Sequence, residues 1–303
     1  MSFLRAETAT LQELSERFDV FLLDAFGVFW ESNQTGAIPG AKEAMERLVS
    51  EGKVVGILSN STQLAEKEKE KYGKHGILEK VHYHFLLTSG EVAREMLASG
   101  NAPFPVERKT YWLFSSTHPR YSHRQLFDAA GYRETDLIEE ADFIYIPTPH
   151  LNGEDQVDSS VFEPAIHSLP KHVPVFCANP DPVAVEGSPP RVVVRQGTIA
   201  KMFGNRGFSV YATGKPFQPI FQAALAKCPD GIKKEKILMI GDTPETDIRG
   251  AHGVGIQAAL VTQTGILSQT IEKNGVESVM DGLLIEDQPD LLLDRLVFQS
   301  PVF

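Results

Sequence analysis

An aspartate at the end of an apolar run is the first group in this chain that could do chemistry. Residues 20–23 are apolar and lead directly into Asp24, and Gly27 ends the apolar pattern. A short apolar run that stops at a turn signal is typical of a buried strand. In parallel α/β sheets, ligands bind outside the carboxyl ends of the strands, which is where Asp24 would lie. A lone aspartate there more often caps a turn, so a catalytic role depends on further motifs.

Three further stretches have the same form, an apolar run that ends in polar or charged side chains. VVGILSNS contains Ser59 and Asn60, YATGKP contains Lys215, and ILMIGDTPETD contains Asp242 and Asp247. Each stretch is weak evidence by itself. Four such stretches in one chain favour a site at the carboxyl ends of parallel strands.

In order and spacing, the four stretches resemble the four motifs of the haloacid dehalogenase superfamily of phosphotransferases. The long insertion between the second and third motifs, together with CANPD at residues 177–181, is similar to the class IIA branch, the NagD-like sugar phosphatases. The resemblance covers nearly the whole chain. It implies an α/β fold in which a Rossmann-like, doubly wound parallel-sheet core carries an inserted α/β cap domain of the C2 type.

The resemblance also implies catalytic and substrate-binding roles. Asp24 would attack phosphorus and form an aspartyl-phosphate. Ser59 would bind the phosphoryl group, and Lys215 would bond both the nucleophile and a phosphoryl oxygen, so that a fixed charge offsets the negative charge of the transition state. The substrate-binding residues implied in this way are Ser59, Asn60, Asn179, Asp181 and Lys215.

A magnesium site is implied beside the nucleophile. Bringing a carboxylate to an anionic ester requires a cation, and hard oxygen ligands suit Mg²⁺. The resemblance assigns this metal to Asp24, Asp242 and the backbone carbonyl of Phe26, with Asp247 bound directly or through water. Glu245 is a weaker candidate for an outer contact.

Position 26 departs from the pattern of the family. Most of its phosphatases have a second aspartate two residues after the nucleophile, which protonates the leaving group and later activates water, but here that residue is Phe26. Phenylalanine can do neither. General acid–base catalysis typically contributes about 10²- to 10⁴-fold, so we expect low activity on esters with poor leaving groups. The metal site needs only the backbone carbonyl and is not affected.

Three functions are compatible with these motifs. The leading prediction is a magnesium-dependent hydrolase of small phosphomonoesters, of the sugar phosphate or nucleotide class, because a cap that covers the site excludes large substrates. A second hypothesis is a phosphometabolite-binding or regulatory protein whose catalytic machinery has decayed at Phe26. A third is an enzyme that cleaves a carbon–phosphorus or carbon–halogen bond, although no lysine is placed by sequence to form a Schiff base and dehalogenation needs no acidic metal cluster.

The alternation of strand and helix patterns predicts a core domain built from both ends of the chain. Residues 1–87 would form its first part, residues 88–207 the inserted α/β cap, and residues 208–303 its second part. A strand at 209–212 is therefore assigned to the core.

Four local patterns lead to further predictions. Helices are predicted over residues 247–252 and 291–297. The alternating charges of residues 66–71, EKEKEK, predict a solvated helix face and not a binding surface. His82 and His84 would fall on one face of a strand, where packing is favoured over metal binding because no third ligand is near in sequence.

Composition bounds the class of protein. The chain has 303 residues, enough for two domains, and a formal net charge of −11, which argues against nucleic-acid binding because phosphate backbones demand clustered Lys and Arg. It has two cysteines without metal-ligand spacing, no apolar signal core, and no run of about 18 apolar residues. We therefore expect a cytoplasmic protein without a membrane partner. The expected partner is a small phosphorylated metabolite, and a homodimer through the cap is a further expectation.

Overall fold

A computed structural model of the chain describes residues 6–32, 35–115, 122–186 and 191–298. Its strands are β1 (Glu7–Thr8), β2 (Val20–Leu23), β3 (Trp30–Ser32), β4 (Gly36–Ala37), β5 (Val54–Ser59), β6 (Phe85–Thr88), β7 (Thr110–Leu113), β8 (Arg133–Glu134), β9 (Phe143–Tyr145), β10 (Val175–Cys177), β11 (Val183–Glu186), β12 (Arg191–Val194), β13 (Val210–Ala212), β14 (Ile237–Gly241), β15 (Gln257–Val261) and β16 (Leu291–Leu293). Its α-helices are α1 (Leu11–Arg17), α2 (Ala41–Ser50), α3 (Ala65–Gly73), α4 (Ser89–Ala98), α5 (Arg124–Phe127), α6 (Glu163–His167), α7 (Gln196–Asn205), α8 (Gln218–Leu225), α9 (Arg249–Gly253), α10 (Ser268–Asn274) and α11 (Val276–Asp281). Within the described ranges, none of these helices is both long and apolar enough to cross a bilayer.

The chain divides into two units. The first, called the core unit, comprises Met1–Ser59, Ala65–Leu87 and Pro216–Phe303. The second, called the inserted unit, comprises Asn60–Leu64 and Thr88–Lys215. Both ends of the chain therefore contribute to the core unit.

A seven-stranded sheet forms the centre of the core unit, in the order β1-β16-β15-β14-β2-β5-β6. Each neighbouring pair from β1 to β5 along this order is parallel. Every residue of β2 and β14 is buried, which explains why these strands are apolar on both faces instead of alternating. The carboxyl ends of β14, β2 and β5 consequently lie side by side.

Local sequence signals explain the first helices of the core unit. At the start of α1, the Thr10 hydroxyl accepts a hydrogen bond from the Glu13 backbone N–H, and the Glu13 carboxylate accepts one from the Thr10 backbone N–H at 2.7 Å. This reciprocal arrangement satisfies backbone donors that a helix start leaves open. Helix α2 buries Ala44, Met45 and Leu48, which follow helical spacing and join the same apolar cluster as β2.

A second parallel sheet forms the centre of the inserted unit, in the order β13-β10-β9-β7-β8. Its two faces carry separate apolar clusters, because successive side chains of a strand point to opposite faces. Phe143 and Tyr145 of β9 belong to the cluster that includes residues of α4 and α5, whereas Ile144 belongs to the cluster that includes residues of α7. Helices therefore cover both faces of this sheet.

The position of β13 differs from the prediction. The sequence assigned a strand at 209–212 to the core, but Val210 pairs with Val175 at the end of the five-stranded sheet, and the Val175 N–H donates to the Ser209 carbonyl at 2.8 Å. After the inserted unit, the chain returns to the core unit at Pro216. A short apolar strand does not reveal which sheet it will join, because strand pairing is decided by non-local hydrogen bonds.

Of two predicted helices, the one over residues 291–297 is wrong and the one over residues 247–252 is only partly correct. Leu291–Leu293 is a strand, β16, which lies between β1 and β15. An apolar run of this length fits either a helix or a strand. It forms a strand here because the backbone N–H and C=O groups of the neighbouring strands need hydrogen-bond partners. The helix predicted over residues 247–252 is divided between a π-helical turn, Pro244–Ile248, and α9.

Helix α3 and the two histidines make more contacts with the rest of the fold than the sequence suggests. Helix α3 buries Glu68 and Tyr72, so its charge run is only partly solvated. His82 and His84 lie in a turn before β6 and not on a strand. Each accepts a hydrogen bond from a backbone N–H, His82 from Leu78 at 3.0 Å and His84 from Val55 at 3.1 Å. Both contacts fit the packing role that the sequence favoured.

Candidate active site

Three predicted site residues lie at the carboxyl ends of adjacent core strands. Asp24 follows β2, Asp242 follows β14 and Ser59 ends β5. The register fixes their levels, since Leu23 of β2 pairs with Ile240 on one side and with Ile57 on the other. Carboxyl ends of parallel strands are the usual place for ligands in open α/β sheets. The sequence motifs thus converge on one edge of the core sheet.

A cluster of three carboxylates lies at this edge. Asp24, Asp242 and Asp247 each offer an oxygen, and these atoms lie within 4.8 Å of one another. Asp247 is fully buried, Asp242 is nearly so, and Asp24 is partly exposed. Asp247 reaches the cluster from the π-helical turn that follows β14, and such turns occur often at functional sites. We call these three residues the acidic cluster.

Backbone and hydroxyl donors hold two of the acids in place. One oxygen of Asp247 accepts from the N–H groups of Asp242 and Thr243, at 3.2 and 3.1 Å. Asp242 accepts from the Thr243 hydroxyl at 2.7 Å through one oxygen and from the Ile266 N–H at 2.9 Å through the other. Thr243 and Ile266 were not predicted from the sequence. Of the two, only Thr243 had a signal in the sequence, because it directly follows Asp242 in the GDT motif.

Two glycines allow the loops to approach the acids closely. Gly27 has a φ of +75°, and a Cβ there would lie 2.3 Å from the Asp242 Oδ2 atom. A Cβ on Gly241 would lie 2.2 Å from the Cβ of Asp247. Real atoms do not approach so closely, so any side chain at either position would displace an acid. The acidic cluster therefore depends on glycine at both places.

The donor set of the acidic cluster suits a divalent cation. Three like charges at this separation repel one another, and a bound cation would offset the repulsion. Carboxylate oxygens are the ligands preferred by Mg²⁺ and Ca²⁺. Among the described residues, this is the group of acids, histidines and cysteines whose ligand atoms come close enough to hold a metal. The predicted contribution of the Phe26 carbonyl stays a prediction.

Phe26 occupies the position where the family pattern has an acid. It is 46% exposed, and it lies in the tight loop after β2, where the Gly27 N–H donates to the Trp30 carbonyl at 2.9 Å. An aromatic ring cannot exchange protons, so no acid–base group is supplied by this residue.

The remaining predicted residues belong to the inserted unit. The Asn60 side-chain amide donates to Asp181 at 2.7 Å and to the Lys215 carbonyl at 2.9 Å, and its oxygen accepts from the Lys215 N–H at 2.7 Å. Asn179 accepts from the Asp181 N–H at 2.8 Å. Asn60 therefore joins Asp181 and Lys215, which are 121 and 155 residues away in sequence. We call Asn60, Asp181 and Lys215 the Asn60 network.

The cysteines do not offer an alternative nucleophile. Cys177 is fully buried, and burial raises the pKa of its thiol well above the usual value. Burial also raises the pKa of Cys228. Since the thiolate is the reactive form, burial makes both thiols less reactive.

Two family models match the chain. A model described as haloacid dehalogenase-like hydrolase matches residues 21–132, and a HAD-hydrolase-like model matches residues 212–296. The first segment contains Asp24 and Ser59, and the second contains Lys215 and the two later aspartates. The candidate catalytic and metal-binding residues of all four motifs therefore lie within matched segments.

Similar proteins agree with these models. A 4-nitrophenylphosphatase of Schizosaccharomyces pombe is 31% identical over 105 residues, which is 34% of this chain and 33% of that protein, so the match spans a third of the relative's length. A haloacid dehalogenase-like hydrolase of Brucella suis 1330 has 23% identity and a TM-score of 0.72 over 97% of this chain and 100% of its own. NagD from E. coli K-12 has 18% identity and a TM-score of 0.64 over 93% and 98%. The predicted α/β fold is confirmed by these likenesses.

Proposed function

Because the chain belongs to the haloacid dehalogenase-like hydrolases, we propose that it is a magnesium-dependent phosphatase that hydrolyses small phosphomonoesters through an aspartyl-phosphate on Asp24. The acidic cluster at the carboxyl edge of the core sheet carries this proposal. Phosphoryl transfer needs a nucleophile in line with the scissile bond and compensation of the charge on the phosphoryl oxygens. The partly exposed Asp24 carboxylate could be the nucleophile, and the three carboxylates together could hold a cation that compensates the charge.

The acidic cluster would hold the cation. Asp24 and Asp242 would bind it directly and Asp247 directly or through water, with the Phe26 carbonyl as the predicted backbone ligand. When bound, the cation would offset the charge of the phosphoryl oxygens, so that a carboxylate can approach an anionic ester.

The reaction would take place in two steps. In the first, an Asp24 oxygen bonds to phosphorus while the ester P–O bond breaks and its electron pair stays on the leaving-group oxygen. The Ser59 hydroxyl would donate to a phosphoryl oxygen, and Lys215 would neutralise negative charge, as the sequence predicts. In the second step, water attacks phosphorus, inorganic phosphate is released, and the Asp24 carboxylate is restored.

Position 26 should determine which esters react. Because Phe26 cannot protonate a leaving group, esters whose leaving group is stable as an anion should react faster. Aryl phosphates belong to this class, and one relative is named for 4-nitrophenyl phosphate. The physiological substrate would be a sugar phosphate or a nucleotide.

A substrate screen tests this proposal. The purified chain would be assayed with 4-nitrophenyl phosphate and with a panel of phosphorylated sugars and nucleotides, with and without Mg²⁺. We expect hydrolysis that requires Mg²⁺, is faster for the aryl ester, and is absent in Asp24→Asn. Equal turnover in EDTA, or turnover that survives Asp24→Asn, would contradict the proposal.

A second candidate function is supported by the apolar residue at position 26. A protein with the metal and phosphate residues but without the acid could serve as a sensor of a phosphorylated metabolite. The same panel distinguishes the two functions. Thermal stabilisation by one metabolite in the presence of Mg²⁺, without release of phosphate from any ester, would support the sensor.

A further inference from the structure

Three aromatic rings of the core unit surround the ammonium group of Lys71. Its Nζ atom lies 4.7 Å from the ring centroid of Tyr72, 5.4 Å from that of Phe26 and 5.5 Å from that of Trp30. A cation within about 6 Å of an aromatic face is attracted by the ring quadrupole. Lys71 is thus held by residues from both α3 and the loop after β2, although its sequence surroundings, EKEKEK, indicate a solvated helix face. We call Lys71 and these three rings the lysine cage.

Glu68 completes the surroundings of Lys71. The two side chains form an ion pair one turn apart on α3, with 6% of Glu68 and 23% of Lys71 exposed. Charges are buried to this extent only when they are paired, because desolvation is costly. An ammonium has three N–H donors, and the single carboxylate partner does not use all of them.

The lysine cage adjoins the acidic cluster. Phe26 is two residues after Asp24, and the backbone of the same loop is tied by hydrogen bonds from Trp30 to Ala25 and from Gly27 to Trp30. Burial, followed by the negative charges of Glu68 and Asp24, raises the pKa of Tyr72. The electrostatic influence of the Asp24 carboxylate therefore extends to a ring that contacts the Lys71 ammonium.

We propose that Lys71 provides a fixed positive charge for the leaving group, at the place where the family pattern has an acid. The proposal rests on the phosphatase function proposed above. As the Asp24–phosphorus bond forms and the ester P–O bond breaks, the electron pair remains on the leaving-group oxygen. Lys71 stabilises that charge without transferring a proton, and the oxygen is protonated later by solvent. Phe26 is the positioning residue, because its ring lies 5.4 Å from the ammonium and it occupies the position that holds the acid in the family pattern.

This role makes a prediction about the class of leaving group. A fixed charge stabilises an oxyanion but cannot replace proton transfer for a strongly basic alkoxide. Esters that release phenolates, enolates, carboxylates or phosphates should therefore react fastest, and sugar phosphates or nucleotides that release alkoxides should react more slowly. Within one series of equal shape, Lys71 should matter most for the more basic oxygen.

A series of substituted phenyl phosphates tests this role. Phenyl, 4-chlorophenyl, 4-cyanophenyl and 4-nitrophenyl phosphates have similar shapes but leaving groups of different acidity, so the slope of log kcat/KM against leaving-group acidity reports the charge on the departing oxygen. We expect Lys71→Met to steepen this slope, with a loss on phenyl phosphate roughly tenfold larger than on 4-nitrophenyl phosphate. Lys71→Arg should restore the shallow slope, because it keeps the charge.

Two further variants separate the proposal from a structural role. Lys71→Met leaves Glu68 buried without this partner, so the double variant Glu68→Gln, Lys71→Met removes both charges and should show the same steep slope in a folded protein. Lys69→Met on the same helix breaks the ion pair with Glu79 and should keep the wild-type slope. Phe26→Leu, which removes one ring, should give an intermediate slope.

The outcomes are distinguishable. Loss of activity that is equal for all four esters in Lys71→Met and in the double variant, or an unchanged slope in both, would overturn the role of Lys71 while Mg²⁺-dependent turnover through Asp24 still stands. A wild-type chain without Mg²⁺-dependent turnover, or an Asp24→Asn variant that keeps it, would overturn the proposed function and this inference together.

Discussion

The acidic cluster of the core unit and the Asn60 network of the inserted unit are both polar and largely buried, but they are built on opposite principles. The acidic cluster brings three like charges within 4.8 Å, an arrangement that costs folding free energy until a cation binds. The Asn60 network places one amide so that it both donates and accepts, which stabilises the loops that it joins. The first therefore indicates a ligand site, whereas the second indicates a structural connection.

The largest effect is expected when the nucleophile of the acidic cluster is removed. Asp24→Asn keeps the shape of the side chain but removes the charge that attacks phosphorus, so kcat for 4-nitrophenyl phosphate should fall on the order of 10⁴-fold or more. Initial rates with saturating Mg²⁺ measure this. A variant that retains even a tenth of the wild-type rate would show that the nucleophile is another group.

The next prediction concerns the repulsion within the acidic cluster. Asp242→Asn should lower Mg²⁺-dependent activity by at least about 100-fold, because a metal ligand is lost. In EDTA the free energy of unfolding of the same variant should exceed that of the wild type by about 0.5–1 kcal/mol, because one like charge is removed. Denaturant titrations in EDTA check the sign. The exposed Asp281→Asn on α11 is the matched control and should change neither quantity.

Breaking the Asn60 network should lower the free energy of unfolding, whereas Asp242→Asn in EDTA should raise it. Asn60→Ala removes three hydrogen bonds and leaves the buried Lys215 N–H without its Asn60 acceptor, so the free energy of unfolding should fall by about 2–3 kcal/mol. The exposed Asn205→Ala at the end of α7 should change it by less than about 0.5 kcal/mol. If Asn60→Ala were as stable as the control, the network would not be the structural connection described above.

The acidic cluster could be anticipated from sequence because its residues follow buried strands. An apolar run ending in an aspartate specifies both the strand and the end at which the acid lies, and this held for Asp24 after β2 and Asp242 after β14. The apolar run at 291–293 gave no such guide, because three leucines suit a helix or a strand equally well. Its structure was decided by the strands on either side of it.

The lysine cage and β13 show why other parts could not be anticipated. Local periodicity describes how the EKEKEK run meets solvent, but Lys71 is held by rings at positions 26 and 30, which approach it only in the folded chain. In the same way, the pairing of Val210 with Val175 places β13 in the inserted unit. Contacts between distant segments are absent from any local pattern.

The smallest expected effect adds an acid beside the acidic cluster. Phe26→Asp could protonate the leaving group and then accept from water, so alkyl phosphates should gain roughly tenfold in kcat/KM while aryl phosphates gain little. The gain should be well below a full acid–base effect, because the Lys71 ammonium, 5.4 Å from the ring of Phe26, would favour the ionised form of the new carboxyl. Stability should fall in EDTA, since a fourth like charge joins the edge. A folded, Mg²⁺-binding variant without selective gain on alkyl esters would show that the missing acid does not limit the reaction.

The central claim is that Asp24 accepts a phosphoryl group in a Mg²⁺-dependent site. Trifluoroberyllate with Mg²⁺ forms a stable mimic of a phosphorylated carboxylate and does not depend on accumulation of an intermediate. The melting temperature of the wild type in Mg²⁺ should rise further when trifluoroberyllate is added, beyond the rise that Mg²⁺ alone gives, because binding to the folded state stabilises it. Asp24→Asn, folded to the same extent, should show no such rise. An equal rise in Asp24→Asn, or none in the wild type, would contradict the account.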